Sequence, residues 1–184
     1  MPRLAKRFTV IATDLRGVSG STSTQGSYDA ANMAEDVYQL VLTLKLELLY
    51  IVGHDIGGMV AYAFLRRYPE HPWGDDSRSS NSWNLNFGKF TQSEVAHSVQ
   101  SYATSEQLHS AFEMYRAFPA NVQFNKTQRD RNEVPLFLAG GAGSPFAKLV
   151  PKIAEGLRAS GLIRVQTELI TDSIHYVVAD QPEA

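Results

Sequence analysis

The chain has 184 residues, 43% of them hydrophobic and 20% charged, with a formal net charge of −2. That is enough for one globular domain with a sizeable core, and it offers neither nucleic acid nor an anionic membrane surface a basic face. The absence of cysteine excludes disulfides and thiolate chemistry, the five histidines lack paired metal-ligand spacing, and no apolar run approaches the ~18 residues of a membrane span.

The opening, MPRLAKRFTVIATDL, carries no signal-peptide pattern, so a cytoplasmic location is expected. Within it, residues 7–15 are β-branched and apolar and predict a strand, followed by the turn-rich RGVSGSTSTQGS. Ser27-Tyr28-Asp29 then opens a segment in which Met33, Val37, Leu40, Val41 and Leu44 recur at helical spacing. ELLYIVG (47–53) predicts a second buried strand, and GGMVAYAFLRRYPEHP (57–72) a second helix stopped by Pro69 and Pro72. Strand, helix, strand, helix in succession predicts a parallel α/β sheet. The pattern then breaks: 73–88 is Ser/Asn-rich, has no apolar period and reads as a loop. Two helices follow, 91–103 and 105–118, the first capped by Thr91 with Glu94 three residues on. VPLFLAGG (134–141) predicts a third strand, 144–161 a helix with an internal proline, and IRVQTELI (163–170) a fourth strand before the closing TDSIHYVVADQPEA.

One stretch carries chemistry. Gly53-His54-Asp55-Ile56-Gly57-Gly58 stands between the second strand and the second helix. An acidic residue at the end of a buried strand is costly unless something uses it. The spacing is that of a strand-to-helix turn so tight that neighbours two residues from its centre must lack bulk, which pushes the central side chain out above the sheet. The Ile56 amide, at the helix start, then faces the place where an oxyanion would form. A carboxylate at the centre needs no base to attack an alkyl carbon; it forms an alkyl ester that water must then cleave. The alternative for the same residues is an Asx-turn that merely caps the helix.

These residues resemble the α/β-hydrolase superfamily, and GHDIGG resembles its epoxide hydrolase and haloalkane dehalogenase branch. Asp14-Leu15-Arg16-Gly17 is similar to the D-x-R-G that follows a strand in that family, with Ser19 where the branch often carries glycine. His175, in SIHYVVADQPEA, resembles the catalytic histidine near the C-terminus. Phe112-Glu113-Met114-Tyr115-Arg116 resembles the cap helix that carries a ring-opening tyrosine. The resemblance implies a three-layer α/β sandwich with a reduced parallel sheet of about four strands and a remnant helical cap. The parts would be hydrolase core at 1–72 and 127–184, a loop at a deletion point at 73–88, and the cap at 89–126. It further implies Asp55 as nucleophile, His175 as activator of the hydrolytic water, Tyr115 as donor to the epoxide oxygen, the Ile56 amide as oxyanion donor, and Gly53, Gly57 and Gly58 as the small residues of the turn. No cofactor and no metal are implied. The substrate would be a small epoxide or an alkyl halide. Bland readings stand beside these: a surface loop for His175, a helix aromatic packing with Phe112 and Phe118 for Tyr115, and a structural role for His54 pointing away from Asp55; Tyr102 is a candidate second donor to the epoxide oxygen and Trp73 with Trp83 a candidate halide site, against an ordinary cap residue and surface exposure respectively.

Measured against that family, the chain is expected to start after the loop that gives a second oxyanion donor and to lack a strand near 72–86. The acid partner of His175 has no clear position. Asp75 and Asp76 lie near one usual place in sequence, Asp172 precedes the histidine, and the other usual place reads Gly140-Gly141-Ala142-Gly143. The segment 48–53 must then either pair directly with 8–13 or 134–139, or remain in a gapped sheet. Three functions stay open: epoxide opening to a diol, dehalogenation by the same first step, or an inactive truncated hydrolase.

Overall fold

The computed structural model describes residues 4–73 and 92–177. A 3-10 turn at Leu4–Lys6 leads into irregular chain, and the helices are α1 (Ala30–Thr43), α2 (Ile56–Arg67), α3 (Gln92–Gln100), α4 (Ser105–Arg116), α5 (Phe118–Thr127) and α6 (Val150–Ala159). Strands β1 (Leu136–Gly141) and β2 (Val165–Ile170) pair in parallel, with Leu136 opposite Val165 and Gly141 opposite Ile170. The sheet among the described residues is therefore two-stranded.

The parallel sheet flanked by helices is present, but only two of the four expected strands are built into it. Residues 9–14 have no regular secondary structure and make no backbone–backbone bond to another described residue. The same holds for residues 50–53, and the strand expected at 47–53 is reduced to one parallel bridge, Leu49 with Trp73. Neither segment pairs with the other or with β1, so the gapped arrangement is the one realised. The local sequence has β propensity, but a ladder needs a neighbour, and propensity alone does not supply one. Phe8 and Tyr50 touch edge to face, with ring centroids 5.4 Å apart, so the two segments meet through side chains instead.

The helix boundaries also shift, mostly at prolines. The helix expected over 144–161 becomes a 3-10 turn at Ala147–Leu149 and then α6, with Pro151 in its first turn. The helix expected at 105–118 stops at Arg116, and Pro119 starts α5, an element with no counterpart in the sequence reading. Both cases follow from one property: proline tolerates the first turn of a helix, where its missing N–H is not needed. The capping box lies at α4, where Thr104 and Gln107 bond each other's backbone. The cap expected from Thr91 and Glu94, the loop beyond Trp73 including Asp75, Asp76 and Trp83, and the final ADQPEA lie outside the described residues.

Helix α2 holds the molecule together because consecutive residues face different cores. Phe64, fully buried, belongs to a cluster with Met33, Ala34, Val60 and Met114. Leu65 belongs to a second cluster with Ala154, Leu162 and Val165, and Trp73 packs against both. Arg66, also buried, bonds the carbonyls of Asp130 and Ser160 and the Ser160 hydroxyl, tying α2 to the end of α6. Hydrogen bonds to a charged group contribute ~1.5–3 kcal/mol each. Helices α4 and α5 anchor to the first half of the chain through Tyr28 to Ser110 (2.9 Å) and the Ala30 amide to Asn121 (2.7 Å). Among the described residues no helix is long and apolar enough to cross a membrane.

Candidate active site

The turn before α2 is sharp and strained. Asp55 has φ 53° and ψ −120°, outside the regions an L-residue prefers, at a cost on the order of 1–3 kcal/mol. Its side chain makes no capping bond to α2, so the Asx-turn alternative is not the one adopted. The turn is closed instead by backbone: the Gly57 amide donates to the His54 carbonyl and the Gly58 amide to the Asp55 carbonyl, each at 2.9 Å. The Ile56 N–H is the first amide of α2, so it has no acceptor within the helix.

The three glycines differ in need. A Cβ on Gly53 would sit 2.2 Å from the Gly57 carbonyl oxygen and 2.7 Å from the Gly58 nitrogen, so nothing larger fits without moving backbone. A Cβ on Gly57 would meet nothing within 4 Å, and one on Gly58 would make ordinary contact with the Gly53 carbonyl at 3.6 Å. Close approach therefore demands Gly53, while Gly57 and Gly58 keep the helix start uncrowded.

His175 arrives from the loop after β2. Its Nε2 lies 2.9 Å from Asp55 Oδ2, across 120 residues of sequence. The loop is held by the buried Ser173, whose hydroxyl donates to the Ile170 carbonyl and whose own carbonyl accepts from the Gly143 amide. The glycines after β1 have a reason here. A Cβ on Gly141 would stand 2.0 Å from the Ile174 carbonyl oxygen, so the histidine loop lies directly on the place where a side chain would project. A carboxylate at 141 is excluded by that contact. Asp172 occupies the turn after β2 at φ 52°, and the carboxylate bonded to His175 among the described residues is Asp55 itself.

His54 was expected to point away. Its ring instead lies 4.8 Å from that of His175 and 5.3 Å from that of Tyr176, and its Nε2 is 2.9 Å from the His175 carbonyl oxygen. Tyr115 is not gathered in. It is 56% exposed on α4, with its ring against Phe118 at 5.3 Å, while Ser110 and Met114 form the buried face of that helix. Tyr102 is exposed as well. The Asp55–His175 pair is itself open to solvent, with side-chain exposures of 44% for Asp55 and 41% for His175. A carboxylate beside a histidine over a helix N-terminus can attack an electrophilic carbon, and the histidine can then deliver a deprotonated water.

Residues 1–71 match the family model described as the alpha/beta hydrolase fold. A soluble epoxide hydrolase of Corynebacterium sp. is 45% identical over 64 residues, covering 35% of this chain and 22% of that relative. A fluoroacetate dehalogenase of Burkholderia sp. is 39% identical over 74 residues, covering 38% of this chain and 24% of that one. The chain thus spans about a quarter or less of these relatives' length in the alignments. In three dimensions the epoxide hydrolase CorEH superposes with a TM-score of 0.81 over 98% of this chain and 80% of that one, at 20% identity, which speaks for fold alone. The chain has the α/β-hydrolase fold, and the family model matches its residues 1–71. These stretches of 64 and 74 residues are what the chain shares in sequence with that epoxide hydrolase and that dehalogenase.

Proposed function

We propose that this chain opens an epoxide through an ester on Asp55. The observation that carries this is the 2.9 Å contact between His175 Nε2 and Asp55 Oδ2 at the apex of a strained turn. A carboxylate oxygen of Asp55 attacks an epoxide carbon, the carbon–oxygen bond of the ring breaks, and the alkoxide takes a proton. Tyr115, the donor that the family resemblance implies, lies exposed on α4 against Phe118 and outside the residues gathered at Asp55. Solvent water is the donor within reach of so open a site.

Esterification removes the negative charge that holds the proton on His175 Nε2. The ring gives that Nε2 proton to solvent, takes one from solvent on Nδ1 and, neutral, offers its Nε2 lone pair to a water. That water loses its proton to His175 and attacks the ester carbonyl. The Ile56 amide steadies the resulting oxyanion. Collapse breaks the acyl carbon–oxygen bond, the diol oxygen takes the proton back from the imidazolium, and Asp55 returns as carboxylate. Among the described residues no carboxylate is bonded to His175 Nδ1, and this second step suffers most from that, because an acid there normally fixes the tautomer and stabilises the imidazolium.

Dehalogenation starts with the same attack and expels halide in place of an alkoxide; the aligned fluoroacetate dehalogenase supports it as a second reading. The test is intact-protein and peptide mass spectrometry after incubation with a panel of epoxides and haloacids. The proposal expects epoxide mass on the peptide containing Asp55. Haloacid-derived mass alone on that peptide selects the second reading, and epoxide mass confined to peptides lacking residue 55 contradicts both.

A further inference from the structure

We infer that His54 is a positioning residue that clamps the histidine loop onto the nucleophile. The inference rests on the reading of Asp55 and His175 as the reacting pair. His54 immediately precedes Asp55 on the strained turn, so its backbone moves with the nucleophile. Its Nε2 reaches the carbonyl oxygen of His175 at 2.9 Å. A carbonyl only accepts, so His54 is the donor and carries its proton on Nε2. The bond therefore joins the two loops at the residues that react, backbone to side chain, alongside the Asp55–His175 contact.

Ring contacts complete the clamp. His54 lies against both His175 and Tyr176, and those two rings meet each other at 5.0 Å. The clamp matters most after alkylation. Once Asp55 is an ester, its bond to His175 no longer holds that ring in place. The His54 bond goes to the backbone of His175 and is untouched by the chemistry, so it keeps the imidazole over the ester carbonyl for the attack of water. The role thus falls on ester hydrolysis and hardly on alkylation.

The first arm of the test needs no turnover. Long-range proton–nitrogen correlation on histidine-labelled chain should find neutral His54 protonated on Nε2; protonation on Nδ1 with Nε2 free would overturn the inference. The second arm compares His54→Phe, which keeps a ring but removes the donor, with His54→Gln, which restores a donor at similar reach. Alkylation of Asp55 should stay within about twofold of the parent in both, while ester lifetime should lengthen roughly tenfold or more in His54→Phe and return to within about threefold in His54→Gln. Equal lifetimes in all three chains, or a slow ester in His54→Gln as well, would refute the clamp. Should the parent chain never take up epoxide mass, the reading of Asp55 has failed, and the tautomer of His54 alone decides for or against the bond.

Discussion

The segment 48–53 and strand β1 run toward the same site from opposite sides of a gap. One ends at the Asp55 turn; the other ends in the glycines on which the His175 loop rests. Strand β1 is stitched to β2 along six register pairs, whereas 48–53 has one bridge, at Leu49. The loops that carry Asp55 and His175 nevertheless meet at 2.9 Å. Sheet pairing is therefore not what sets the site. A strained turn welded to the start of α2, and a loop pressed onto glycine, set it locally. The helix packing of α2 then does for the first half what the β ladder does for the second.

The largest effect falls on the nucleophile. Asp55→Asn should reduce ester formation to background, because an amide is a poor nucleophile, and should leave the circular dichroism and melting profile of the parent. Retained alkylation in that variant would move the chemistry elsewhere. The next largest effects separate the two halves. Phe64→Ala, in the core beneath the turn, should cost about 3–5 kcal/mol, and Leu162→Ala, in the core beneath β1, about 2–5 kcal/mol. Hydrogen exchange should show the Phe64 variant opening around 48–67 while β1–β2 amides stay protected. Simultaneous loss of protection in both halves would mean that the ladder is no more independent than the turn.

Smaller changes test the turn itself. Gly53→Ala drives a Cβ to 2.2 Å from backbone and should cost about 1–3 kcal/mol, with loss of Asp55 reactivity. Gly57→Ala meets open space and should shift stability by less than ~1 kcal/mol, in the stabilising direction, because alanine suits a helix better than glycine. Equal melting temperatures for the two variants would contradict the close approach.

The sequence made the chemistry more legible than its support. The tight turn at Asp55 and Ile56 could be picked out because turn chemistry is local: glycine spacing, a preceding apolar run and a following helix all sit within about twenty residues, whereas His175, 120 residues away, is pointed to only by the family resemblance. The pairing of 9–14 and 50–53 could not, because a strand is defined by its neighbours and no local pattern reports a missing one. His54 was misread for a related reason. A single residue before the turn shows no sign of the carbonyl it bonds 121 residues away. Gly141 did carry a signal in its doubled glycine, which read as a missing carboxylate and proves to be room for the Ile174 backbone. Pro119 and Pro151 were read as an interruption or passed over, although both stand in the first turn of a helix.

A small, pH-dependent effect concerns the entry to α1. Burial raises the Asp29 carboxyl, but hydrogen bonds from the Ser27 hydroxyl, the Asn32 amide and side chain and the Ala31 amide outweigh it and hold the group below its ordinary value of 3.8. A depressed carboxylate contributes stability above that ordinary value, and the contribution is lost as pH falls through the lower folded value. Asp29→Ala should therefore cost about 1 kcal/mol near neutral pH, and the difference from the parent should vanish in acid. A difference that stays constant down to the acid transition would show that the cap carries no charge-dependent part.

On the proposed reading, Asp55 attacks readily while the ester it forms is released with difficulty. A time course that follows alkyl-enzyme and diol together, using an epoxide found to label Asp55, tests both halves at once. The account predicts a burst of about one equivalent of ester per chain followed by slow diol release, slower still in His175→Gln. Sustained multiple turnover without ester accumulation would contradict it and would require an acid partner for His175 in the parent chain.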